Sequence, residues 1–325
     1  MNARLDSVNA AISLSSIGRG LGKQRRIASA AFACILFLVS TLATASPKSA
    51  TKWTVRAQPT KPVNGSPILF QVTAPAPLQS LTATWVGHTI QFNFDGVSKT
   101  WFALAGASLE TTPGSYPLEL AGETSPNKSS ANAAGKKISF VRNFTVARAK
   151  YPKVKLTVST KFTEPNPEQL KQANEDKEVK KDILNKVTAE QEWKGNFSAP
   201  ADAAVSDVFG TQRVFNGKAQ SSHQGLDFRV PSGTLVAAMN AGTVLLARPL
   251  YFEGNCVVLD HGQGLLTIYM HLSEFKVKEG DRVTRGELVG LSGGTGRVTG
   301  PHLHVAVRWQ GTYLDPAALL RLRLP

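Results

Sequence analysis

The apolar residues of this chain recur with a period of two, in short runs that clusters of Gly, Pro, Asn and Ser repeatedly cut off. "KWTVRAQ", "ILFQVTA", "LTATWVG", "IQFNF" and "SFVRNFTV" succeed one another between residues 52 and 148. Beyond residue 196 come "GTLVAAMNAGTVLLARPL", "NCVVLDHGQGLLTIYMHL" and "HLHVAVRW". Alternation at that period sends successive side chains to opposite faces of an extended chain. Runs this short, closed by turn-forming residues, read as strands of a sandwich or barrel rather than as a helical core. The expected fold is mainly β, and 325 residues are enough for two ordinary domains.

The first 45 residues do not share this pattern. A basic stretch ending in Lys23, Arg25 and Arg26 precedes the apolar run "IASAAFACILFLVSTLA", and "ATAS" follows. Small residues at Ala43 and Ala45 fit signal-peptidase cleavage before Ser46. Residues 1–45 are therefore expected to be a signal peptide that sends the protein to the periplasm or cell envelope. Retained, the same segment would be a membrane anchor. Cleavage removes Cys34 and leaves Cys256 as the one cysteine, so no intramolecular disulfide is expected; "GNCVVLD" places that thiol in a buried strand. The net charge of +14 falls to about +10 once residues 1–45 are set aside. Such a balance suits work against a polyanion. For an exported protein that means a membrane surface or cell wall, and no nucleic-acid-binding signature is present.

Residues 46–150 read as an immunoglobulin-like β domain without any constellation of chemical residues. His88 stands alone in it, at a surface or core edge. Residues 151–195 begin as extended, Pro-punctuated chain and turn into a connecting helix in "NPEQLKQANEDKEVKKDILNKVTAEQEW". Asn166 can cap it, Pro167 suits its first position and Glu168 favours the positive end of its dipole. Val179, Ile183 and Val187 recur every four residues with Leu184 beside them, an apolar stripe among charges that read as a solvated face.

Residues 196–325 hold five of the six histidines. In "SSHQGLDF", His223 and Asp227 are four apart, which in extended chain sends both to one face, and Gly225 permits close backbone approach. His271 ends the alternating run "TIYMHL". In "PHLHVAV", His302 and His304 share a face while Leu303, Val305 and Val307 take the other. A His/Asp/His set gives a zinc ion three protein ligands and leaves a fourth position to water.

Five stretches carry a resemblance: "FGTQRVFNG", "HQGLDFRVPSGTLVAAMNAGTV", "GNCVVLDHGQGLLTIYMHLS", "VKEGDRVTRGELVGLSGGTGRVTGPHLHVAV" and "YLDP". Together they make residues 196 to about 318 similar to the lysostaphin/LytM-type zinc metallopeptidases, which cut peptide cross-links in bacterial peptidoglycan. The resemblance implies a C-terminal zinc peptidase domain over 196–325, with a β-sandwich or barrel-like fold. It implies one Zn2+ per chain on His223, Asp227 and His304. It makes His271 and His302 the catalytic pair that works on the attacking water and the developing oxyanion, with the division between them left open. No H-E-x-x-H helix is present, so a glutamate base is not on offer. The substrate implied is the peptide stems of peptidoglycan, with D,D-endopeptidase action in a periplasm. Arg213 and Asn216, in "RVFNG", are expected to line or support the cleft, and His261 to mark a turn. "SGGTGRVTG" lacks the Gly-Lys-Ser/Thr ending of a phosphate loop and reads as a tight loop flanking the groove.

Two other readings compete. Some relatives have lost ligands and act as non-catalytic, cell-wall-binding activators of other hydrolases; here all five positions are filled. "VKEGDRVTRGELVG" also resembles the hairpins of lipoyl and biotinyl carriers, but the lysine those modify is missing.

Overall fold

The computed structural model describes residues 52–125, 135–157, 164–215, 217 and 219–325. The expected signal peptide, the tip of "GETSPNKSSANAAGKK" and Asn216 lie outside the described residues.

The N-terminal strands are β1 (Thr54–Gln58), β2 (Pro67–Thr73), β3 (Leu78–Trp85), β4 (His88–Gln91), β5 (Asn93–Asp95), β6 (Thr100–Gly106), β7 (Gly114–Thr124) and β8 (Lys137–Val146). They form two antiparallel four-stranded sheets, ordered β1-β2-β6-β5 and β4-β3-β7-β8. Alternation has the expected effect: on β3, Leu81, Ala83 and Trp85 are buried while Thr82 and Thr84 face out. The buried faces meet in an aromatic cluster, with Phe70 5.1 Å from Trp85 and 5.2 Å from Phe144, ring centre to ring centre. This pairing of sheets is consistent with an immunoglobulin-like sandwich.

After β9 (Lys153–Leu156) comes the helix α1 (Pro167–Leu184). Its start is local chemistry: Asn166 Oδ1 accepts from Gln169 N at 2.9 Å, and Gln169 Oε1 accepts from Asn166 N at 3.0 Å. Its attachment differs from the apolar stripe. Val187 lies beyond the helix end and is exposed, and Val179 is exposed too. Only Ile183 and Leu184 pack on apolar neighbours, among them Leu246, Leu250 and Cys256. Polar groups hold the rest: buried Asp176 accepts from Tyr251 N at 2.6 Å, and Lys180 pairs with Glu253. The charged face is thus partly an interface, because the β-turn opposite offers a matching amide and carboxylate.

The C-terminal strands are β10 (Val205–Asp207), β11 (Gln212–Phe215), β12 (Ala219–Ser222), β13 (Leu226–Phe228), β14 (Leu235–Ala237), β15 (Gly242–Leu250), β16 (Gly254–Asp260), β17 (Leu265–Leu272), β18 (Glu274–Phe275), β19 (Arg282–Val283), β20 (Leu288–Leu291), β21 (Leu303–Trp309) and β22 (Thr312–Leu314), closed by α2 (Pro316–Arg321). The main sheet runs β10-β13-β21-β17-β16-β15-β19, with β22 on β21. A second sheet, β14-β20-β18, and a third, β12-β11-β9, flank it. In the third, β9 runs parallel to β11 and so ties the linker to the hairpin that carries Arg213.

Residues 48–325 form one compact unit. A single apolar cluster runs from Phe70 and Trp85 through Phe102, Trp193 and Phe197 to Leu226, Tyr269, Val305 and Leu314. Phe102 meets Trp193 at 5.9 Å, and His88, the isolated histidine, packs its tilted ring 4.9 Å from that of Trp309. Gly106 is needed at this junction, since a Cβ there would sit 2.5 Å from Leu314 Cδ2. Fully burying side chains of this size stabilises by about 1.5–3 kcal/mol each, so the N-terminal module is a firm part of the body that carries the site.

Candidate metal centre

Strand register brings the first two donors together. Asp227 of β13 lies directly opposite His304 of β21, and directly opposite residues project to the same face of a sheet. His223 arrives from the β12–β13 connection. Its backbone N donates to Thr211 O at 2.8 Å, and its Nδ1 donates to Val208 O at 2.9 Å. A carbonyl can only accept, so the His223 proton sits on Nδ1 and Nε2 carries a lone pair. That Nε2 is 3.1 Å from Asp227 Oδ1 and 3.0 Å from His304 Nδ1; His304 Nδ1 is 2.7 Å from the same Oδ1. His223, Asp227 and His304 are all buried.

These distances test whether a metal ion fits. Tetrahedral zinc with bonds of 2.0–2.1 Å holds its donor atoms about 3.3 Å apart. The triangle here, 2.7 to 3.1 Å on a side, needs only a few tenths of an ångström of expansion. Its chemistry fits as well. A lone pair aimed at a carboxylate oxygen in a buried site is repulsive until a cation stands between them. Gly225 permits the close approach, since a Cβ there would lie 2.4 Å from His304 Nε2 and 2.5 Å from Val305 O.

His271 and His302 complete the floor. Opposite Cys256, β17 carries an extra residue: Tyr269 pairs with Val257, but Leu272 pairs with Asn255. This bulge holds His271 at φ 63°, a left-handed conformation rare for a residue with a side chain, and turns its ring toward the site. His271 Nδ1 donates to Thr295 O at 2.8 Å and its backbone N to Glu253 O at 2.9 Å. His302 Nδ1 donates to Gly300 O at 2.9 Å, and its Nε2 stands 3.9 Å from Asp227 Oδ1. The rings of His271 and His302 are 4.9 Å apart, and His271 is 6.0 Å from His304. Both therefore keep their Nδ1 proton on a backbone carbonyl and have Nε2 left for other work.

Burial pushes the His271 imidazole down to about 3, with the neighbouring His304 and His302 acting in the same direction. It is neutral near pH 7. Burial would raise the Asp227 carboxyl, but the adjacent imidazoles of His223 and His304 outweigh it and hold the group far below the usual carboxylate range. Burial also lowers the His304 imidazole, and an anionic carboxylate is the state a metal requires of such a ligand.

The five residues lie in a groove of about 770 Å³ whose other walls include Ser221, Ser222, Arg297 and Tyr313. Glu110, from the N-terminal module, reaches its rim. Arg213 sits in this groove, its Nη2 2.6 Å from Asp227 Oδ2. The loop "SGGTGRVTG" supplies Arg297, Val298, Thr299 and Gly300 to the groove wall. His261 lies elsewhere, fully buried, with Nδ1 2.6 Å from Ala241 O and Nε2 2.8 Å from Thr267 Oγ1. Cys256 is buried in β16 and burial raises its thiol pKa, which suits core packing rather than a nucleophile. Asp207, Glu253 and Thr295 were not legible in advance. Each acts on the site through a contact between residues distant in sequence, and none belongs to a periodic pattern.

A buried set of two histidines and one carboxylate, with two more imidazoles beside it in an open groove on a β scaffold, is a candidate metal centre with the donor types that hydrolytic sites use. Residues 221–316 match the model of peptidase family M23. The match over this segment implies a metal ion at the centre. The chain is 43% identical over 108 residues to peptidoglycan DD-endopeptidase ShyA of Vibrio cholerae, covering 33% of this chain and 24% of that protein. It is 40% identical over 97 residues to DD-carboxypeptidase/endopeptidase Mpg of Neisseria meningitidis, covering 30% and 22%. The match thus spans about a quarter of the length of these curated relatives. Among solved structures, a putative peptidase M23 from Pseudomonas aeruginosa aligns with a TM-score of 0.58 at 27% identity, covering 80% of this chain and 95% of that one. That coverage extends well beyond the M23 segment, so the likeness takes in upstream β structure as well.

Proposed function

We propose that this protein is a zinc-dependent endopeptidase that hydrolyses peptide cross-links of bacterial peptidoglycan, with D,D-endopeptidase specificity, exported to the periplasm or cell envelope. The convergence of His223, Asp227 and His304 beside His271 and His302 carries the reading. The names of the curated relatives support its substrate. Among the described residues no helix is long and apolar enough to cross a membrane.

His223 Nε2, Asp227 Oδ1 and His304 Nδ1 are the atoms that would hold zinc, and two imidazoles with one carboxylate are donors zinc accepts readily. When bound, zinc supplies polarisation of the scissile carbonyl and acidification of an attacking water. His271 and His302 do the proton work. Each is anchored through Nδ1 to a backbone carbonyl and has Nε2 left for the reaction, one to take a proton from the attacking water and the other to face the developing oxyanion. The imidazolium so formed stabilises the tetrahedral oxyanion and then returns its proton to the leaving amine. The groove is open enough for an extended peptide, and Glu110 and Arg297 place opposite charges on its walls.

Incubating the zinc-loaded protein with purified sacculi and separating the soluble fragments by mass spectrometry tests the proposal. New peptide ends at former cross-links are expected. Full metal occupancy without new ends would overturn the endopeptidase reading.

A further inference from the structure

Asp207 of β10 and Asp227 of β13 are directly opposite each other on neighbouring strands. Like charges in that position repel, so the pairing needs a cation. Arg213 supplies it. Its Nη2 is 2.6 Å from Asp227 Oδ2 and 2.5 Å from Asp207 Oδ2, and its Nε is 2.9 Å from that same Asp207 oxygen. The guanidinium is mostly buried, and the contacts to two carboxylates fix its plane.

The two oxygens of Asp227 thereby divide. Oδ1 faces His223 and His304, while Oδ2 is taken by Arg213. A carboxylate without such a partner can rotate about its Cβ–Cγ bond and offer either oxygen, or both, to a metal. The same segment serves His223: Val208, next to Asp207, accepts the His223 Nδ1 proton, and Asp207 Oδ2 lies 3.5 Å from that nitrogen. Arg213 is itself seated on β11, paired to Ser221 of β12 on one side and Val154 of β9 on the other.

We infer that Arg213 is a positioning residue of the metal centre: by occupying Asp227 Oδ2, and being held in turn by Asp207, it makes Asp227 a one-oxygen ligand. The inference rests on the proposed metal centre. Charge alone would act in the opposite direction, because a guanidinium beside a divalent cation repels it. The sign of the effect on metal affinity therefore separates positioning from electrostatics.

The test is zinc affinity of the full chain, measured by competition with a chromophoric chelator, together with the visible spectrum of the cobalt-loaded protein. Loss of an outer-shell partner typically weakens metal binding about 10–100-fold, and Arg213→Met is expected to fall in that range despite removing a repulsive charge. Its cobalt spectrum should shift toward higher coordination as Oδ2 becomes available. Arg213→Lys keeps the charge but, as a point donor, cannot span both carboxylates, so it should recover only part of the affinity. The double variant Asp207→Asn/Arg213→Met removes the leftover charge on Asp207 and guards against misfolding; it should remain weak. Folded variants that bind zinc as tightly as wild type or more tightly, with an unchanged cobalt spectrum, would overturn the inference. So would recovery of wild-type affinity in the double variant, which would reduce Arg213 to a counter-charge for Asp207. A wild-type protein that binds no zinc would remove the metal centre itself, an outcome distinct from either.

Discussion

Gly225 offers a clean perturbation, because only space is at stake. It does not adopt a left-handed backbone conformation, so alanine pays no dihedral penalty there. A Cβ would nevertheless fall 2.5 Å from Val305 O and 2.4 Å from His304 Nε2. Ordinary contacts begin near 3.4 Å, so each overlap is about 0.9–1.0 Å. Val305 is fixed by its pairing to both Leu226 and Tyr269, which leaves the His304 ring as the partner that must yield. Overpacking of this kind costs about 1–3 kcal/mol. For a body of this size that lowers the melting temperature by roughly 2–4 °C per kcal/mol. A ring displaced by most of an ångström leaves a donor triangle only about 3 Å on a side, and zinc affinity should drop at least tenfold, comparable to losing an outer-shell partner. Calorimetry and chelator competition on Gly225→Ala measure both quantities. Gly300→Ala is the control, since Gly300 lines the same groove and a Cβ there meets nothing within 4 Å. A Gly225→Ala protein with wild-type melting temperature and zinc affinity would refute the close-approach reasoning.

His302→Ala is expected to retain zinc and lose peptide hydrolysis, whereas His304→Ala loses both; equal metal loss in the two, by elemental analysis, would contradict the division of roles. The buried His261 has its pKa pushed down to about 4, chiefly by burial, so its neutral form stabilises the fold fully above about pH 6.5 and that stability is lost as pH falls toward 4. The loss amounts to about 3 kcal/mol, and the difference in melting temperature between wild type and His261→Gln, both metal-free, should change across that window; a pH-independent difference would count against it. Asp176→Ala leaves the Tyr251 amide without its carboxylate and should cost about 1–3 kcal/mol in urea unfolding, while a neutral result would mean the helix is not anchored there.

What the sequence disclosed is what local periodicity and caps control. The strands of both halves, the Asn166 cap and the shared orientation of His302 and His304 depend on neighbours a few residues away, and they were legible. His223 and Asp227 do converge, but not as same-face residues of one strand: His223 lies in the turn before β13, and the chain bends at Gly225 to bring them together. His271 depends on a bulge, which strict alternation does not reveal. Arg213 was noticeable only as a neighbour of His223, because its contacts to Asp207 and Asp227 depend on the β10–β13 pairing. The attachment of α1 was hidden for the same reason, since Asp176 finds its partner 75 residues away. The junction between the N-terminal module and the rest is built from Trp193, Trp309 and Leu314, whose partners no periodicity assigns.

The most direct test of the central claim uses a purified cross-linked peptidoglycan dimer as substrate for the zinc-loaded protein. The account predicts conversion to two monomers, cut at the cross-link, abolished by chelator and by His302→Ala and restored to the chelated wild type by added zinc. A dimer left intact by protein shown to carry one zinc per chain would contradict it.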